Sequence, residues 1–232
     1  MPTIRCPVID LLDPRDRKKI LDRSVCRRLS RGEPLYFAGD TSERAHVVRS
    51  GVLKLTARNL EGDETILCLA TPGEIAGDLS ILDGRAQPLD AIAATTVHVL
   101  GIDSMTLSEA LARNPAATRA LARQVGRRTR WILEAMLERT TSEVPARLAG
   151  RLLHLAELLG ERRGPTIEMN LPLPQRDLGS FAGMCRESAC KTLKRFRDEG
   201  LLEYRGRKLR ILRPDSLERI RCAGRARELE WS

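Results

Sequence analysis

Near its C-terminal end the chain shows two helical patterns of apolar residues separated by a glycine. The first pattern covers residues 175–182 and the second covers residues 186–199, with Gly183, which tolerates a left-handed turn, between them. The apolar positions, spaced by three or four residues, are Leu178 and Phe181 in the first and Ala189, Leu193 and Phe196 in the second. We predict a helix, a tight turn and a second helix that buries this stripe and exposes its cations.

A short alternating pattern follows the second helix. Gly200 ends the helix, and residues 201–204 and 208–212 flank a basic turn, Arg205-Gly206-Arg207, which indicates a β-hairpin. Helix, turn, helix and hairpin in this order, with many cations on one side, are typical of a winged helix-turn-helix that binds DNA. The alternative is a helical hairpin with a solvated basic face.

The N-terminal half has a different period. Short alternating segments separated by glycines predict strands over residues 34–37, 46–49, 52–57, 65–70 and 91–100. A turn every 8–12 residues is typical of a compact antiparallel barrel or jelly roll. From about residue 107 the pattern becomes helical. The predicted fold class is therefore α+β: an N-terminal antiparallel β-roll, a long helix, and the winged helix-turn-helix.

The long helix carries a seam with alternating spacings of four and three, as in a coiled coil. Its members are Thr118, Ala122, Val125, Thr129, Ile132 and Met136, with Leu121, Leu133 and Leu137 beside it. This predicts a homodimer joined along the helix, which also packs on the roll. Pro145 suits the first turn of a new helix over residues 144–159. We expect a helical lead and roll at 1–107, a dimerisation helix at 108–140, and the DNA-binding domain at 141–232.

The basic charge lies in the C-terminal half. Residues 1–112 hold 14 Lys and Arg against 16 Asp and Glu, residues 113–170 hold 11 against 6, and residues 171–232 hold 15 against 9. A polyanionic partner explains this asymmetry better than general solubility does. No segment approaches 18 uninterrupted apolar residues and no signal peptide opens the chain, so no membrane contact and a cytoplasmic location are expected.

Neither an enzyme nor a metal protein is predicted. The six cysteines form no C-x-x-C pair, which argues against structural zinc, and no cofactor is expected. The sequence contains no G-x-S-x-G, H-E-x-x-H or Walker motif, and only three histidines. The basic segment 171–232 favours a DNA-binding protein over a ligand-binding roll without DNA function.

Four motifs carry a resemblance to a known family. They are R-G-E-P-L-Y-F-A-G-D at 31–40, S-G-V-L-K-L at 50–55, P-G-E-I-A-G-D-L-S-I-L at 72–82 and M-C-R-E-S-A-C-K at 184–191. With the predicted architecture, they resemble the CRP/FNR family of bacterial transcription regulators over about residues 30–212. The resemblance implies a cyclic-nucleotide-binding-like roll, and a homodimer that places each second helix in a major groove of palindromic DNA.

The resemblance also implies which residues contact DNA. Arg186 and Lys191 are expected to read guanines and Glu187 a cytosine amino group, the pairings that donor and acceptor geometry allows. The residues expected to hold phosphates are Arg176, Ser188, Arg205 and Lys208. Half-sites of the TGTGA type and RNA polymerase are the implied partners. The family's usual residue at 191 is arginine, so Lys191 loses bidentate geometry.

The resemblance is broken in the segment that binds cyclic AMP in the family's receptors. Their cassette, G-E-L-[SA]-x6-P-R-[ST]-A, uses its Glu for the ribose hydroxyl and its Arg for the phosphate. Here it begins with Gly77 and Asp78, but Gln87 stands at the arginine position and Asp90 at a hydroxyl position close behind it. A missing cation and an added carboxylate both oppose phosphate binding. Arg85 either substitutes for the arginine or is a solvated loop charge.

A second departure concerns the nucleotide base. The Thr-Ser pair that receives the adenine amino group in cyclic-AMP receptors falls on Ile132 and Leu133, which cannot form hydrogen bonds. Together these changes predict a degenerate effector pocket and DNA binding without cyclic AMP. Control by a cyclic nucleotide, another small ligand or cysteine redox state stays the alternative.

Thiol or metal control has limited support in the sequence. Iron–sulfur sensors of the family use a close N-terminal cysteine group, whereas Cys6 and Cys26 are 20 residues apart. The three histidines are isolated, which is typical of structural residues, although haem ligation by one of them stays open. Cys185 borders the recognition helix beside Arg186, and a helix N-terminus lowers a thiol pKa, so it is a candidate redox residue. A small buried residue is the alternative.

Overall fold

The computed structural model describes residues 5–41, 43–59, 61–62 and 64–226. The chain divides into two compact units, residues 1–131 and 132–232. The boundary between Trp131 and Ile132 lies inside one long helix, so the units share a continuous stretch of backbone.

The first unit contains two four-stranded antiparallel sheets, which confirms the predicted β-roll. The strands are β1 (Val25–Leu29), β2 (Pro34–Tyr36), β3 (Arg44–Ser50), β4 (Leu53–Arg58), β5 (Glu64–Ala70), β6 (Ile75–Ala76), β7 (Asp90–Ala93) and β8 (Val97–Asp103). One sheet has the order β1-β8-β3-β6 and the other has the order β2-β7-β4-β5. Apart from β4 and β5, which are consecutive and form a hairpin, paired strands are not consecutive in sequence, as in a roll.

Two features of these sheets differ from the prediction. The single strand expected at 91–100 is two strands, β7 and β8, which belong to different sheets. The chain bends between them because the Thr95 hydroxyl accepts a hydrogen bond from the Val52 amide (3.0 Å), and Gly51 packs so closely that a Cβ would lie 2.1 Å from the Thr96 carbonyl oxygen. Strand β1 was not predicted, because four of its five residues are exposed and do not alternate.

Helices cover one side of the roll. In the first unit they are α1 (Pro7–Asp10), α2 (Pro14–Arg23), α3 (Asp78–Asp83), α4 (Ser104–Arg113) and α5 (Pro115–Thr141), the last running into the second unit. Apolar residues of α1, α2 and α4 pack with those of β3 and β8 into one core, to which α5 adds Leu121, fully buried. This confirms that the long helix packs on the roll.

The helix expected at 108–140 is interrupted, and its main part begins later. Asn114 has φ −124° and ψ 83°, outside the helical region, as expected for a residue that precedes a proline. Its amide group donates to the Asp16 carboxylate (2.9 Å) and to the Ala110 carbonyl (2.7 Å), and Arg113 pairs with the same carboxylate (2.7 Å). Helix α5 therefore starts at Pro115.

The second unit carries the helix-turn-helix on a small antiparallel sheet. Its elements after α5 are α6 (Val144–Leu159), β9 (Glu161–Arg163), β10 (Thr166–Asn170), α7 (Gln175–Phe181), α8 (Arg186–Asp198), β11 (Leu202–Arg205), β12 (Lys208–Ile211) and α9 (Pro214–Ala226). The sheet has the order β11-β12-β10-β9. Strands β9 and β10 form a hairpin, in which Arg163 pairs with Thr166 across a turn at Gly164, which has φ +61°. None of the helices in the described part of the chain combines the length and the apolar character that a membrane span requires.

Candidate nucleic-acid interface

Helices α7 and α8 pack through the residues that the sequence pattern selected. Leu178, Phe181, Ala189, Leu193 and Phe196 are all buried, with 3% exposure or less, which confirms the two predicted faces. Between the helices Gly183 has φ +63°, a conformation that favours glycine. The turn also closes with a hydrogen bond from the Met184 amide to the Gly179 carbonyl (3.0 Å). The exposed side of α8 is therefore held on a rigid base.

The exposed side of α8 presents the three predicted base-reading residues. At about 100° per residue, Glu187 and Lys191 lie about 40° apart, on the side of α8 that faces away from Ala189 and Phe196, and Arg186 is the first residue of the helix. All three are exposed, and among the described residues their side chains form no ion pair or hydrogen bond. They are thus available to an external donor or acceptor.

Other cations of α8 are already engaged within the protein. Arg195 pairs with Glu199 (2.7 Å), and Arg197 pairs with Asp198 (3.4 Å) while lying over the ring of Tyr204 (5.5 Å). Both pairs are exposed, so they contribute little to stability. These ion pairs reduce the positive charge available at the C-terminal end of α8, so that its unpaired positive charge lies nearer the N-terminal end.

The predicted phosphate-binding residues lie in three elements of the second unit: α7, α8 and the hairpin of β11 and β12. Arg176 is exposed in the first turn of α7, and Ser188 lies in the first turn of α8. In the hairpin, Arg205 lies directly opposite Lys208, and both are exposed. Like charges at opposite strand positions repel each other, so an anion close to both of them relieves an unfavourable pair. The hairpin tip is suited to a phosphate backbone.

Cys185 caps the N-terminus of α8 and is exposed. Its sulfur lies 3.2 Å from the Ser188 hydroxyl oxygen, and hydrogen bonds from that hydroxyl and from backbone amides lower the pKa of the thiol. Cys190 is half-buried, with its sulfur 3.3 Å from the Gln175 amide oxygen. The geometry therefore makes Cys185 the more thiolate-prone group.

In the roll, the acid that the resemblance assigns to a ribose is bound by the protein itself. Asp78 follows Gly77, which has φ +85°, and is 4% exposed. Its carboxylate accepts hydrogen bonds from the Gln124 amide (2.8 Å) and from Arg128 Nη1 (2.7 Å). Arg128 Nη2 lies 3.6 Å from the Glu74 carboxylate. The long helix thus supplies an internal cation to this acid.

The other cassette positions also serve the fold. Asp90, which was expected to oppose an incoming phosphate, has partners within the roll: its carboxylate pairs with Arg58 Nε (3.1 Å) and accepts a hydrogen bond from the Ala38 amide (2.8 Å). Gln87 is buried, and its backbone bonds to Asp40 and Gly39. Arg85 is exposed, with its amide bonded to the Asp83 carboxylate (3.0 Å), as a solvated loop charge would be.

The predicted seam of α5 is largely uncovered. In the second unit Ile132 is half-buried, while Leu133, Met136 and Leu137 are 56%, 59% and 64% exposed. In the first unit an apolar groove beside the seam is lined by Leu111, Ala112, Pro115, Thr118, Arg119 and Ala122. A row of exposed apolar side chains along one helix is unfavourable in water.

Buried titratable groups complete the electrostatic description. Burial lowers the pKa of His46 and of His154 to about 4, so both are neutral at pH 7, and the 4.0 Å approach of His154 to Glu157 is no ion pair there. Burial raises the pKa of Cys68 to about 12, so its thiol stays protonated. Among the described residues, His, Cys, Asp and Glu form no cluster of three or more that suits a metal ion.

Comparisons with known proteins identify the family. A model of the Crp-like helix-turn-helix domain matches residues 146–220, and a model of the cyclic nucleotide-binding domain matches residues 26–114. The transcriptional activator protein FnrA of Stutzerimonas stutzeri is 32% identical over 200 residues, which are 86% of this chain and 81% of that protein. The chain belongs to the CRP/FNR family. It is therefore a DNA-binding transcription regulator and not an enzyme.

Other relatives agree on the family, and one of them is named for activation by cyclic AMP. A CRP-like cAMP-activated global transcriptional regulator of Mycobacterium tuberculosis is 28% identical over 189 residues, 82% of this chain and 84% of that protein. The structure of FixK2 from Bradyrhizobium japonicum has a TM-score of 0.77 at 21% identity, covering 85% of this chain and 96% of that one, which shows the shared fold. The family does not by itself assign an effector to this chain.

The sequence pattern did not reveal the internal partners of the cassette. Arg58 and Arg128 neutralise Asp90 and Asp78 from distances of 32 and 50 residues along the chain. The one available signal was that Leu121, Gln124 and Arg128 are spaced by three and then four residues. This spacing places Arg128 on the same face of α5 as Leu121, which is buried.

Proposed function

We propose that this regulator acts as a homodimer that reads a palindromic DNA site through α8 and does not need cyclic AMP to bind it. The observation that carries the reading function is the set of uncommitted side chains, Arg186, Glu187 and Lys191, in one sector of α8. The donors suit guanine edges and the acceptor suits a cytosine amino group. Arg176, Ser188, Arg205 and Lys208 supply the phosphate contacts that fix the register.

The homodimer is supported by the uncovered seam of α5. Leu133, Met136 and Leu137 are exposed in the single chain, and a second copy of the same helix would cover them. A twofold dimer places two copies of α8 about one helical turn of DNA apart, about 34 Å. The expected site therefore has two half-sites of the TGTGA type, and RNA polymerase is the expected protein partner at the promoter.

Independence from cyclic AMP is supported by the internal ion pairs of the roll. Asp78 is bound by Arg128 and Gln124, and Asp90 is bound by Arg58. A nucleotide would have to replace the first set of contacts, and it would find Gln87 where the family's receptors carry an arginine. A ligand shifts a conformational equilibrium only by its differential affinity for the two states, so weak anchoring gives it little effect.

The DNA-reading proposal is tested by titrating the purified protein onto two duplexes without added ligand. One duplex carries a TGTGA-type palindrome and the other has the same bases in shuffled order. We expect a preference of about a thousandfold or more for the palindrome, which is the lower end of the usual ratio of specific to non-specific affinity. Equal affinity for both duplexes at physiological salt would contradict the proposed half-site.

A second form of control is favoured by the position of Cys185. Its exposed thiol has a lowered pKa and lies at the N-terminus of α8, beside Arg186. Hydrogen peroxide would convert this thiolate to a sulfenic acid with release of hydroxide, and a second peroxide would give a sulfinic acid with release of water. The ionised sulfinate places added bulk and a permanent negative charge where DNA phosphates approach. Comparing palindrome affinity before and after treatment with hydrogen peroxide, in the wild type and in Cys185→Ser, tests this. Peroxide sensitivity that persists in Cys185→Ser would contradict it.

A further inference from the structure

A buried arginine links three elements of the second unit. Arg151 of α6 is 1% exposed, and its Nη1 lies 3.1 Å from the Glu138 carboxylate in the last turn of α5. Its Nε donates a hydrogen bond to the carbonyl oxygen of Phe181 (3.1 Å). The guanidinium also lies over the Phe181 ring, 5.7 Å from its centroid. One side chain thus contacts both the end of the long helix and the end of α7.

The Phe181 carbonyl lies at the end of α7, where the turn of the helix-turn-helix begins. Phe181 is the last residue of α7, and residues 182–185 form the turn that leads into α8. The same turn meets α5 at a second point, because a Cβ on Gly183 would lie 2.4 Å from Arg139 Nε. The His154 ring of α6 also lies beside the Phe181 ring, with 6.4 Å between the ring centroids and a tilt of 36° between the ring planes. These contacts from α5 and α6 together fix the position of the turn.

Stability alone is a weak reason for a charge at this place. Taking an ion pair out of water is costly, and apolar residues of similar volume often stabilise such a position as well or better. Burial lowers the pKa of Arg151 to about 10, so it stays charged at pH 7. What a planar guanidinium adds, and an aliphatic side chain lacks, is a directional hydrogen bond to the Phe181 carbonyl together with a charge that pairs with Glu138.

We propose that Arg151 is a positioning residue for DNA binding, which fixes the turn of the helix-turn-helix, and with it α8, relative to the last turn of the long helix. The ion pair between Glu138 and Arg151 holds α5 to α6. The hydrogen bond from Arg151 Nε to the Phe181 carbonyl then fixes the turn relative to both helices. The proposal rests on DNA binding through α8. It assigns a function to two residues that make no contact with DNA themselves.

Two variants separate this role from a purely structural one. In Arg151→Lys, the amine keeps an ion pair with Glu138, but a single compact donor does not also reach the Phe181 carbonyl. Glu138→Gln keeps the size of the side chain and removes the charge that orients Arg151. The matched control is Glu157→Gln, which removes the same charge from an exposed position on α6, where the side chain is 82% exposed.

The experiment measures three quantities for each variant: circular dichroism at the assay temperature, amide hydrogen exchange in residues 181–186, and affinity for the duplex that the wild type selects from a random pool. We expect Arg151→Lys and Glu138→Gln to remain folded, to exchange the turn amides at least tenfold faster, and to bind the duplex at least tenfold more weakly. Glu157→Gln should match the wild type in all three.

The outcomes distinguish the positioning role from DNA binding itself. Folded variants whose affinity and turn exchange stay within twofold of the wild type would overturn the role of Arg151 while leaving DNA binding intact. Weaker binding without faster exchange in the turn would also contradict it, because the turn is the proposed link. If Arg151→Lys does not fold, the isosteric Glu138→Gln decides. A wild type that selects no duplex would refute DNA reading by α8 instead.

Discussion

Arg128 of the long helix lies 2.7 Å from Asp78 of the roll, and both side chains are nearly buried, with 11% and 6% exposure. Gln124 donates a hydrogen bond to the same carboxylate oxygen. The Gln124 side chain also accepts a hydrogen bond from the Ile75 amide (2.9 Å) and donates one to the Ile75 carbonyl (2.8 Å). Three side chains thus attach α5 to α3 and β6. The acid that a nucleotide ribose would need is used to hold the first unit together.

Removing the cation of this pair should destabilise the roll. Arg128→Met leaves Asp78 buried without its cation, which costs about 3–5 kcal/mol of unfolding free energy in comparable cases. Native-state hydrogen exchange of the β4 and β7 amides measures this for the first unit alone. Asp78→Asn added to Arg128→Met should recover part of the loss. Exposed Arg127→Met is the control, and a double variant that loses the full sum of both single effects would contradict the pairing.

The seam of α5 predicts the oligomeric state. Ile132→Glu would place two carboxylates opposite each other between paired helices, which costs several kcal/mol when both are buried. Sedimentation at micromolar concentration should show a dimer for the wild type and a monomer for this variant. Arg123→Glu, half a turn away around the helix, is the control and should remain dimeric. A monomeric wild type would refute the dimer.

The side chains of α8 and of the hairpin predict different effects on DNA. Glu187→Ala should cost about 1–3 kcal/mol on the best site and change the preferred base at one position. Arg205→Ala should weaken all sequences alike and reduce the salt dependence of binding by about one counterion. Binding titrations on specific and random duplexes at several salt concentrations separate the two. Equal losses on both duplexes for both variants would refute the assignment.

The neutral state of His154 predicts a pH dependence of stability. Burial lowers its pKa from 6.5 to about 4, so between these values the unfolded chain binds more protons than the folded one. The contribution of His154 to the free energy of unfolding is constant above about pH 6.5. It falls as the pH drops toward 4, and the total loss is about 3 kcal/mol at most. Thermal unfolding of wild type and His154→Gln, compared at pH 8 and pH 5, should show the difference between them shrink at pH 5. A constant difference would contradict a buried neutral histidine.

Local patterns predicted the elements whose residues interact with near neighbours in sequence. Helices α6, α7 and α8 were predicted to within one residue at each end, because a stripe such as Ala189, Leu193 and Phe196 is visible in one segment. The same spacing argument placed Arg186, Glu187 and Lys191 on the exposed side. Contacts that depend on distant residues were not visible in this way.

The misplaced elements show why. The start of α5 depends on Asn114 and Arg113 binding Asp16, nearly 100 residues earlier, and the break between β7 and β8 depends on Gly51 and Val52. The pairing of Asp90 with Arg58 was not predicted, because Arg58 reaches Asp90 only across paired strands, where Thr56 lies opposite Asp90. Charge pairing across a sheet requires the register, which a single sequence does not display.

The most direct test of the central claim is the affinity of the purified protein for the TGTGA-type palindrome with and without saturating cyclic AMP, repeated with cyclic GMP, alongside calorimetry of each nucleotide. The internal pairing of Asp78 and Asp90, with Gln87 at the arginine position, predicts tight specific binding in the absence of nucleotide and the same affinity, within about twofold, in its presence. A nucleotide that binds at micromolar concentration and tightens DNA binding tenfold, about 1.4 kcal/mol of coupling, would contradict it and would direct attention to Arg85 as the phosphate-binding residue.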